Sequence, residues 1–395
     1  MKEFTPQIKK IILYQFISMV IFNMAHPVTP TLITTLGYPD YAFGVLFAMM
    51  STMTFITSPM WGRLAEKQGL KKILMIGPIG SAIGQLGFGL STHLGWTIFF
   101  RAFTGCFAMA TVLVSFLYLN RQTDDHNKGT VIAASTGITG VAMTLGYLLG
   151  GIISDNGYLL TFYVQVALLV TLPILVIFLV EKEPLQLKPK EVKIPSTWAL
   201  IAGYKGKPVG RYMLVMFLMS FGYTLYNSTV PFYLNSQWSL PPSVVGYFMS
   251  FTGLMGLIAN LYLIRYLLER LKPQVILMAE AIVLSVTLVI LTFADAWVIL
   301  LPTLVAFLLF LPIYRPLLQL LIANEADHDQ GVVFGVLNSV IAVGMIGGSL
   351  MAGFAFEVYP GLPFILAAAT FALSAMMFGM PSLLMKKGIK VNRHI

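Results

Sequence analysis

Charge is scarce in this chain: Asp, Glu, Lys and Arg together make up 10% of its 395 residues, against about 25% in an ordinary soluble protein. Cysteine is scarcer still, and the single Cys106 excludes an intrachain disulfide and leaves the redox compartment unread. No phosphate-cradling glycine loop, Cys/His zinc spacing or nucleophile motif occurs, which argues against an enzyme and asks for no cofactor. The five histidines (His26, His93, His126, His328 and His394) form no i, i+4 pair. What the chain does have is apolar length: 57% of it is hydrophobic and the mean hydropathy is +0.82. These residues come in runs such as "VTLVILTFADAWVILLPTLVAFLLFLPIY" rather than in amphipathic stripes. A helix needs roughly 20 apolar residues to cross the hydrocarbon core, so the chain reads as a polytopic membrane protein. Its first apolar run, about 25 residues without an Ala-x-Ala-like cleavage site, reads as a transmembrane helix rather than a removable signal.

Breaking the sequence at clusters of Gly, Pro and charge predicts an all-α integral membrane protein with twelve spans. They lie near 8–36, 42–61, 73–92, 96–120, 130–153, 159–180, 210–235, 243–264, 274–293, 297–322, 332–355 and 362–384. The longest polar connection, 181–209, divides an N-terminal six-helix bundle (1–180) from a C-terminal one (210–395). Of the 25 Lys and Arg residues, 23 lie in the termini or at the alternate connections from 2–3 to 8–9. The connections between them ("GYPDY", "STHLGW", "SDNGY", "SQWSLPPS", "FADAW" and "FEVYPG") hold none. The positive-inside rule then places both termini in the cytoplasm of a cell-membrane protein. The net charge of +9 is thereby a matter of topology and of attraction to anionic lipid, and a nucleic-acid partner is not expected.

The halves repeat. "DDHNKG" at 124–129 and "ADHDQG" at 326–331 stand 202 residues apart, and "LAEK" at 64–67 and "LLER" at 267–270 stand 203 apart. A glycine-rich span follows each pentad, with Gly146 matching Gly348 and Gly151 matching Gly353. Asp and His are metal ligands, yet both pentads fall between an even-numbered span and the next helix. There Asp suits a helix N-terminus and Gly129 and Gly331 ease the turn, so no metal site is expected. Two pseudo-symmetric six-helix bundles in parallel repeat account for the spacing.

With that layout, "GRLAEKQGLKK" between spans 2 and 3 resembles the major facilitator superfamily, whose loop there reads Gly-x-Leu-Ala-Asp-Arg/Lys-x-Gly-Arg-Lys. Gly62, Leu64, Ala65, Lys67, Gly69 and Lys71 match, while Glu66 stands for the usual Asp and Leu70 for a basic residue. The resemblance implies a conformational latch made of Gly62, Glu66, Lys67, Gly69 and Lys71, echoed in the second half by Glu269 and Arg270. "RAFTGCFAMA" is similar to the family's Arg-x-x-x-Gly motif through Arg101 and Gly105. "GYLLGG" keeps the glycines of the exporters' Gly-Pro-x-x-Gly-Gly but puts Tyr147 where proline belongs. Gly146, Gly150 and Gly151 still suit close helix packing. Overall the chain looks most like the twelve-span multidrug efflux (drug:proton antiporter) branch.

Charged groups at bilayer depth are costly and usually face the bundle interior. Three are assigned here: Arg101 in span 4, Glu280 in span 9 and Arg315 in span 10. Arg315 sits between Pro312 and Pro316, where missing helix hydrogen bonds leave carbonyls beside a cation, and Gln319 follows one turn on. Span 1 adds Asn23 and His26 at a proline break, and span 7 adds Tyr223, Tyr226 and Asn227. Efflux relatives often place an acid near Asn227, which cannot carry a proton. Arg315, Tyr223, Tyr226, Asn227, Asn23, His26 and Gln319 are therefore the expected substrate contacts, and Glu280, Arg101 and His26 the expected proton-coupling groups. Packing against neighbours remains the plain alternative for Arg315 and His26. The 22 methionines and 13% aromatics suit an adaptable cavity for amphiphilic compounds, although many of them simply face lipid. The expectation is a monomeric, proton-coupled exporter of hydrophobic or amphiphilic molecules. Export or flipping of a lipid, sugar or other metabolite without tight proton coupling is the alternative.

Overall fold

The computed structural model describes residues 5–123, 128–181, 207–293, 297–325 and 330–385. The core of both pentads (124–127 and 326–329), most of the 181–209 connection and His394 lie outside these residues. Apolar runs without access to water satisfy their backbone groups internally, and the helix does this within one segment. The described residues are accordingly helical, with α1 (Pro6–Asn23), α2 (Thr29–Thr35), α3 (Ala42–Gln68), α4 (Leu70–Leu90), α5 (Leu94–Arg121), α6 (Lys128–Ser154) and α7 (Tyr158–Leu179) in the first half. The second half contributes α8 (Pro208–Ser236), α9 (Pro242–Ile258), α10 (Ile264–Leu268), α11 (Pro273–Phe293), α12 (Trp297–Phe310), α13 (Tyr314–Glu325), α14 (Gln330–Val358) and α15 (Leu362–Met385).

Among the described residues ten helices are long and apolar enough to cross a membrane, and Leu362–Phe378 is a shorter apolar one. The first predicted span is not a single rod. It breaks between α1 and α2, where Pro27 and Pro30 cannot donate to the carbonyls a turn earlier. The chain turns there through short-range bonds, Met24 N–H to Ile21 at 3.3 Å and His26 N–H to Asn23 at 3.3 Å. Pro312 makes a similar break between α12 and α13. A π-helical turn, Ala259–Leu263, joins α9 to α10.

The chain separates into two compact units. One contains residues 1–192 with 228–257 and 352–357. In it α4 packs on α5 and α7, α3 on α5, and α1 on α6. A row of glycines in α4 allows a close approach to α5: a Cβ at Gly77 would meet the Thr111 backbone N at 3.1 Å, and one at Gly84 the Thr104 N at 2.9 Å. Buried polar side chains fasten the core. Trp61 Nε1–H donates to the Cys106 carbonyl at 2.7 Å, and the Tyr14 hydroxyl to Leu74 at 3.2 Å. Gln165 of α7 donates to the Ile21 and Phe22 carbonyls at 2.7 and 3.2 Å, which supplies donors at the proline break. Phe43 stacks on Phe232 in the same unit, and Phe356 meets both rings edge-on, with centroids 4.6 to 5.5 Å apart.

The other unit contains residues 193–227, 258–351 and 358–395. Here α11 is packed by α15, α12 and α13, and α14 presses its glycines onto α8. A Cβ at Gly348 would stand 2.6 Å from the Phe221 carbonyl oxygen. Gly146 of α6 bears in the same way on the Val20 carbonyl of α1. The glycines are 202 positions apart and the carbonyls 201 (348 − 146 and 221 − 20), so the duplication is visible contact by contact.

Candidate functional site

The polar side chains singled out at bilayer depth gather in two groups, one in each unit. In the first, Arg101 of α5 is 2% exposed. Its guanidinium lies over the Phe88 ring at 4.9 Å and the Phe47 ring at 5.6 Å. His26, half-buried at the proline break, stacks on the same Phe47 ring at 5.7 Å and lies edge-to-face with Tyr147 at 5.9 Å. Arg101 is close enough to act electrostatically on the His26 imidazole. Neither Nε nor Nη2 of Arg101 has a hydrogen-bond partner among the described residues. Asn23, buried beside this group, donates its amide to the Met19 carbonyl at 2.7 Å, and its Cβ lies against Gly146. Gly150 faces the Met24 carbonyl, and Gly151 faces Gly246, whose Cα would be 3.1 Å from an added Cβ.

In the second unit Glu280 of α11 is completely buried, and neither carboxylate oxygen has a hydrogen bond of good geometry among the described residues, although the Tyr314 backbone approaches the group. Tyr314, at the start of α13, is near enough for its backbone and ring to act on that carboxyl group. The Tyr314 ring stands 6.3 Å from Tyr223 of α8, and the Arg315 charge reaches both tyrosines. Arg315 itself is exposed, and Gln319 and Asn227 are half-buried. Tyr226 points into the unit instead, 4.5 Å from Phe307 and 6.2 Å from Phe364, with its hydroxyl unpaired among the described residues. Glu280, Tyr314, Tyr223 and Arg315 thus form one group, which Tyr226 borders on its apolar side. Tyr314 and Ser220, whose hydroxyl is a neighbour of Tyr314, escaped the sequence reading. The only sequence signal for Tyr314 was its place next to Arg315 at a proline break.

The residues of the loop between α3 and α4 are held as follows. Gly69 makes the turn with φ +91°, a conformation open to glycine. Lys71 Nζ donates to the Val180 and Ile177 carbonyls at 2.5 and 3.1 Å, at the C-terminus of α7. Lys67 is in the last turn of α3 and Gly62 lies against Leu113. Glu66 has no hydrogen bond or ion pair among the described residues. In the corresponding place after α10, Glu269 pairs with Arg265 at 3.3 Å and the Arg270 guanidinium covers Tyr266 at 3.7 Å. No cluster of three or more His, Cys, Asp or Glu side chains able to hold a metal ion occurs among the described residues.

Comparison with known proteins agrees with this architecture. The sequence model of the Major Facilitator Superfamily matches residues 11–349. The chain is 23% identical over 361 residues to multidrug resistance protein 2 of Bacillus subtilis, covering 89% of each chain. It is 23% identical over 363 residues to the quinolone resistance protein NorA of Staphylococcus aureus, covering 91% of this chain and 93% of that one. Its fold superimposes on the crystal structure of the nucleoside transporter NupG (D323A mutant) with a TM-score of 0.79 at 15% identity, covering 96% and 99% of the two chains.

Proposed function

The chain belongs to the Major Facilitator Superfamily, and we propose that it is a secondary active exporter of hydrophobic or amphiphilic compounds, coupled to protons and working by alternating access. In this reading it acts as a monomer in the cell membrane, with twelve spans in two bundles (1–180 and 210–395), joined by 181–209, and both termini in the cytoplasm. The relatives named for multidrug and quinolone resistance support the substrate class. The observation that carries the coupling is Glu280, a carboxyl group at bilayer depth with neither oxygen paired among the described residues. A dry, unpartnered position tolerates the neutral acid far better than the carboxylate. Exposure of the same group to water favours its ionisation. A proton is therefore taken up or released whenever Glu280 changes between the two environments, and that is what coupling requires.

Tyr223, Tyr226, Asn227, Arg315 and Gln319 in one unit, with Asn23 and His26 in the other, are the residues assigned to substrate. Glu280 is accompanied in proton coupling by His26, which can itself ionise, and by Arg101, which acts as a fixed positive charge. The latch residues Gly62, Glu66, Lys67, Gly69, Lys71, Glu269 and Arg270 stabilise particular helix ends, and Gly146, Gly150 and Gly151 let helices approach. Inside-out membrane vesicles test the reading. Imposing an acid interior should drive uptake of a fluorescent amphiphile, and collapsing the gradient with an ionophore should stop it. Uptake that ignores the gradient would leave a facilitator or a lipid exporter instead.

A further inference from the structure

Arg101 is a buried cation without a counter-charge among the described residues. An arginine cannot shed its proton to relieve the cost of burial, and a buried charge is normally paired. No ion pair of Arg101 occurs among the described residues, and none of the six spans of the first half contains an Asp or Glu. The two ring faces, Phe88 at 4.9 Å and Phe47 at 5.6 Å, offset part of the charge and leave part of its hydrogen-bonding capacity unused among the described residues. The unused atoms are Nε and Nη2, which share one edge of the guanidinium. That is the edge on which the two oxygens of a carboxylate are held in parallel. The surroundings are aromatic, with His26 stacked on Phe47 and Tyr147 edge-on to His26.

We propose that Arg101 is an anion-binding site, and that it takes the carboxylate or similar oxyanion group of a substrate whose apolar body lies against the His26, Phe47 and Phe88 rings. The preferred substrates are then organic acids and zwitterions rather than lipophilic cations. This inference rests on the export reading and narrows its substrate class. The free edge of Arg101 is shut off from solvent in this conformation, so an anion enters only as the surrounding side chains move apart. Within the spans the assigned charges are two guanidiniums, Arg101 and Arg315, against the one carboxyl group of Glu280. Whatever the protonation of Glu280, the excess is positive, and an anionic substrate offsets part of it.

The test is equilibrium binding to the full-length protein in nanodiscs, without any gradient. Pyrenebutyrate is compared with pyrenebutanol, which keeps the ring system and lacks the charge, in chloride and in gluconate buffers. The expected result is that the acid binds about ten-fold more tightly or better than the alcohol, the scale of one charge-assisted hydrogen-bonding pair. Arg101→Gln should remove that preference, and Arg101→Lys should restore part of it. If chloride alone competes with the acid and raises the thermal midpoint of the unsubstituted protein but not of Arg101→Gln, the site takes free inorganic anions as well. If acid and alcohol bind equally and chloride has no effect, the proposal is overturned, whether or not the variants fold. Equal binding of both probes with gradient-driven transport intact would spare the export reading. Arg101-dependent acid binding without any transport would overturn export and leave the anion site.

Discussion

Lys71 closes the end of α7: its Nζ lies 2.5 Å from the Val180 carbonyl and 3.1 Å from that of Ile177. The last carbonyls of a helix have no intrahelical donor, and a cation there also complements the helix dipole. The loop between α3 and α4 is thereby fastened to a helix more than 100 residues further along the chain. Lys71→Met should destabilise the protein by about 1 kcal/mol, seen as a lower thermal midpoint. Lys71→Arg should recover most of it. An unchanged midpoint in Lys71→Met would show that the contact is not a fastening.

The glycines divide into those that bear a neighbour and those that do not. At Gly84 an added Cβ would lie 2.9 Å from the Thr104 backbone nitrogen, whereas nothing approaches within 4 Å at Gly137. Gly84→Ala should cost about 1–3 kcal/mol through overpacking. Gly137→Ala should leave stability unchanged or raise it by up to about 1 kcal/mol, the helix-propensity difference. Thermal midpoints of the two variants check the pair, and similar losses in both would contradict it.

The repeat was legible because it leaves a one-dimensional trace, the offset of 202. The break at His26–Pro27 was legible for the same kind of reason, since proline acts on its own turn. Contacts across the fold were not. Gln165 reaches the Ile21 carbonyl from 144 residues away, and no local pattern announces that. Tyr314 comes beside Glu280 only because α11 packs on α13. The Gly77-to-Gly87 row of α4 was readable as small residues at helical spacing and was overlooked beside the glycines of α6. The missing counter-charge of Arg101 was half legible. The sequence holds no acid in those six spans, but only the fold shows that the guanidinium edge is left bare.

Asp40 and Glu357 form an acidic pair in the first unit, where the Tyr41 N–H donates to Glu357 Oε2 at 3.2 Å. Burial, and then the charge of Glu357, push the Asp40 carboxyl above its ordinary value of 3.8. A raised folded-state value means that the folded protein binds the proton more readily than the unfolded chain. The associated stability is complete below the ordinary value and is lost as pH rises through the raised one. Asp40→Asn should therefore be more stable than the unsubstituted protein at pH 7, and the difference should shrink as pH falls toward 4. Denaturation midpoints across that range check it, and a gap that widened on acidification would reverse the sign.

Glu280 is the centre of the coupling argument, and proton release is its most direct measurement. Purified protein in a weakly buffered solution with a pH-sensitive dye is mixed with a saturating amphiphilic substrate, and the proton count is compared with that of Glu280→Gln. The amide has the same shape, removes a buried ionisable group and should leave the fold intact. The expected result is about one proton released per substrate bound by the unsubstituted protein, and none by Glu280→Gln while it still binds substrate. Equal release from both proteins would contradict the assignment of the proton to Glu280, and no release from either would contradict proton-coupled export itself.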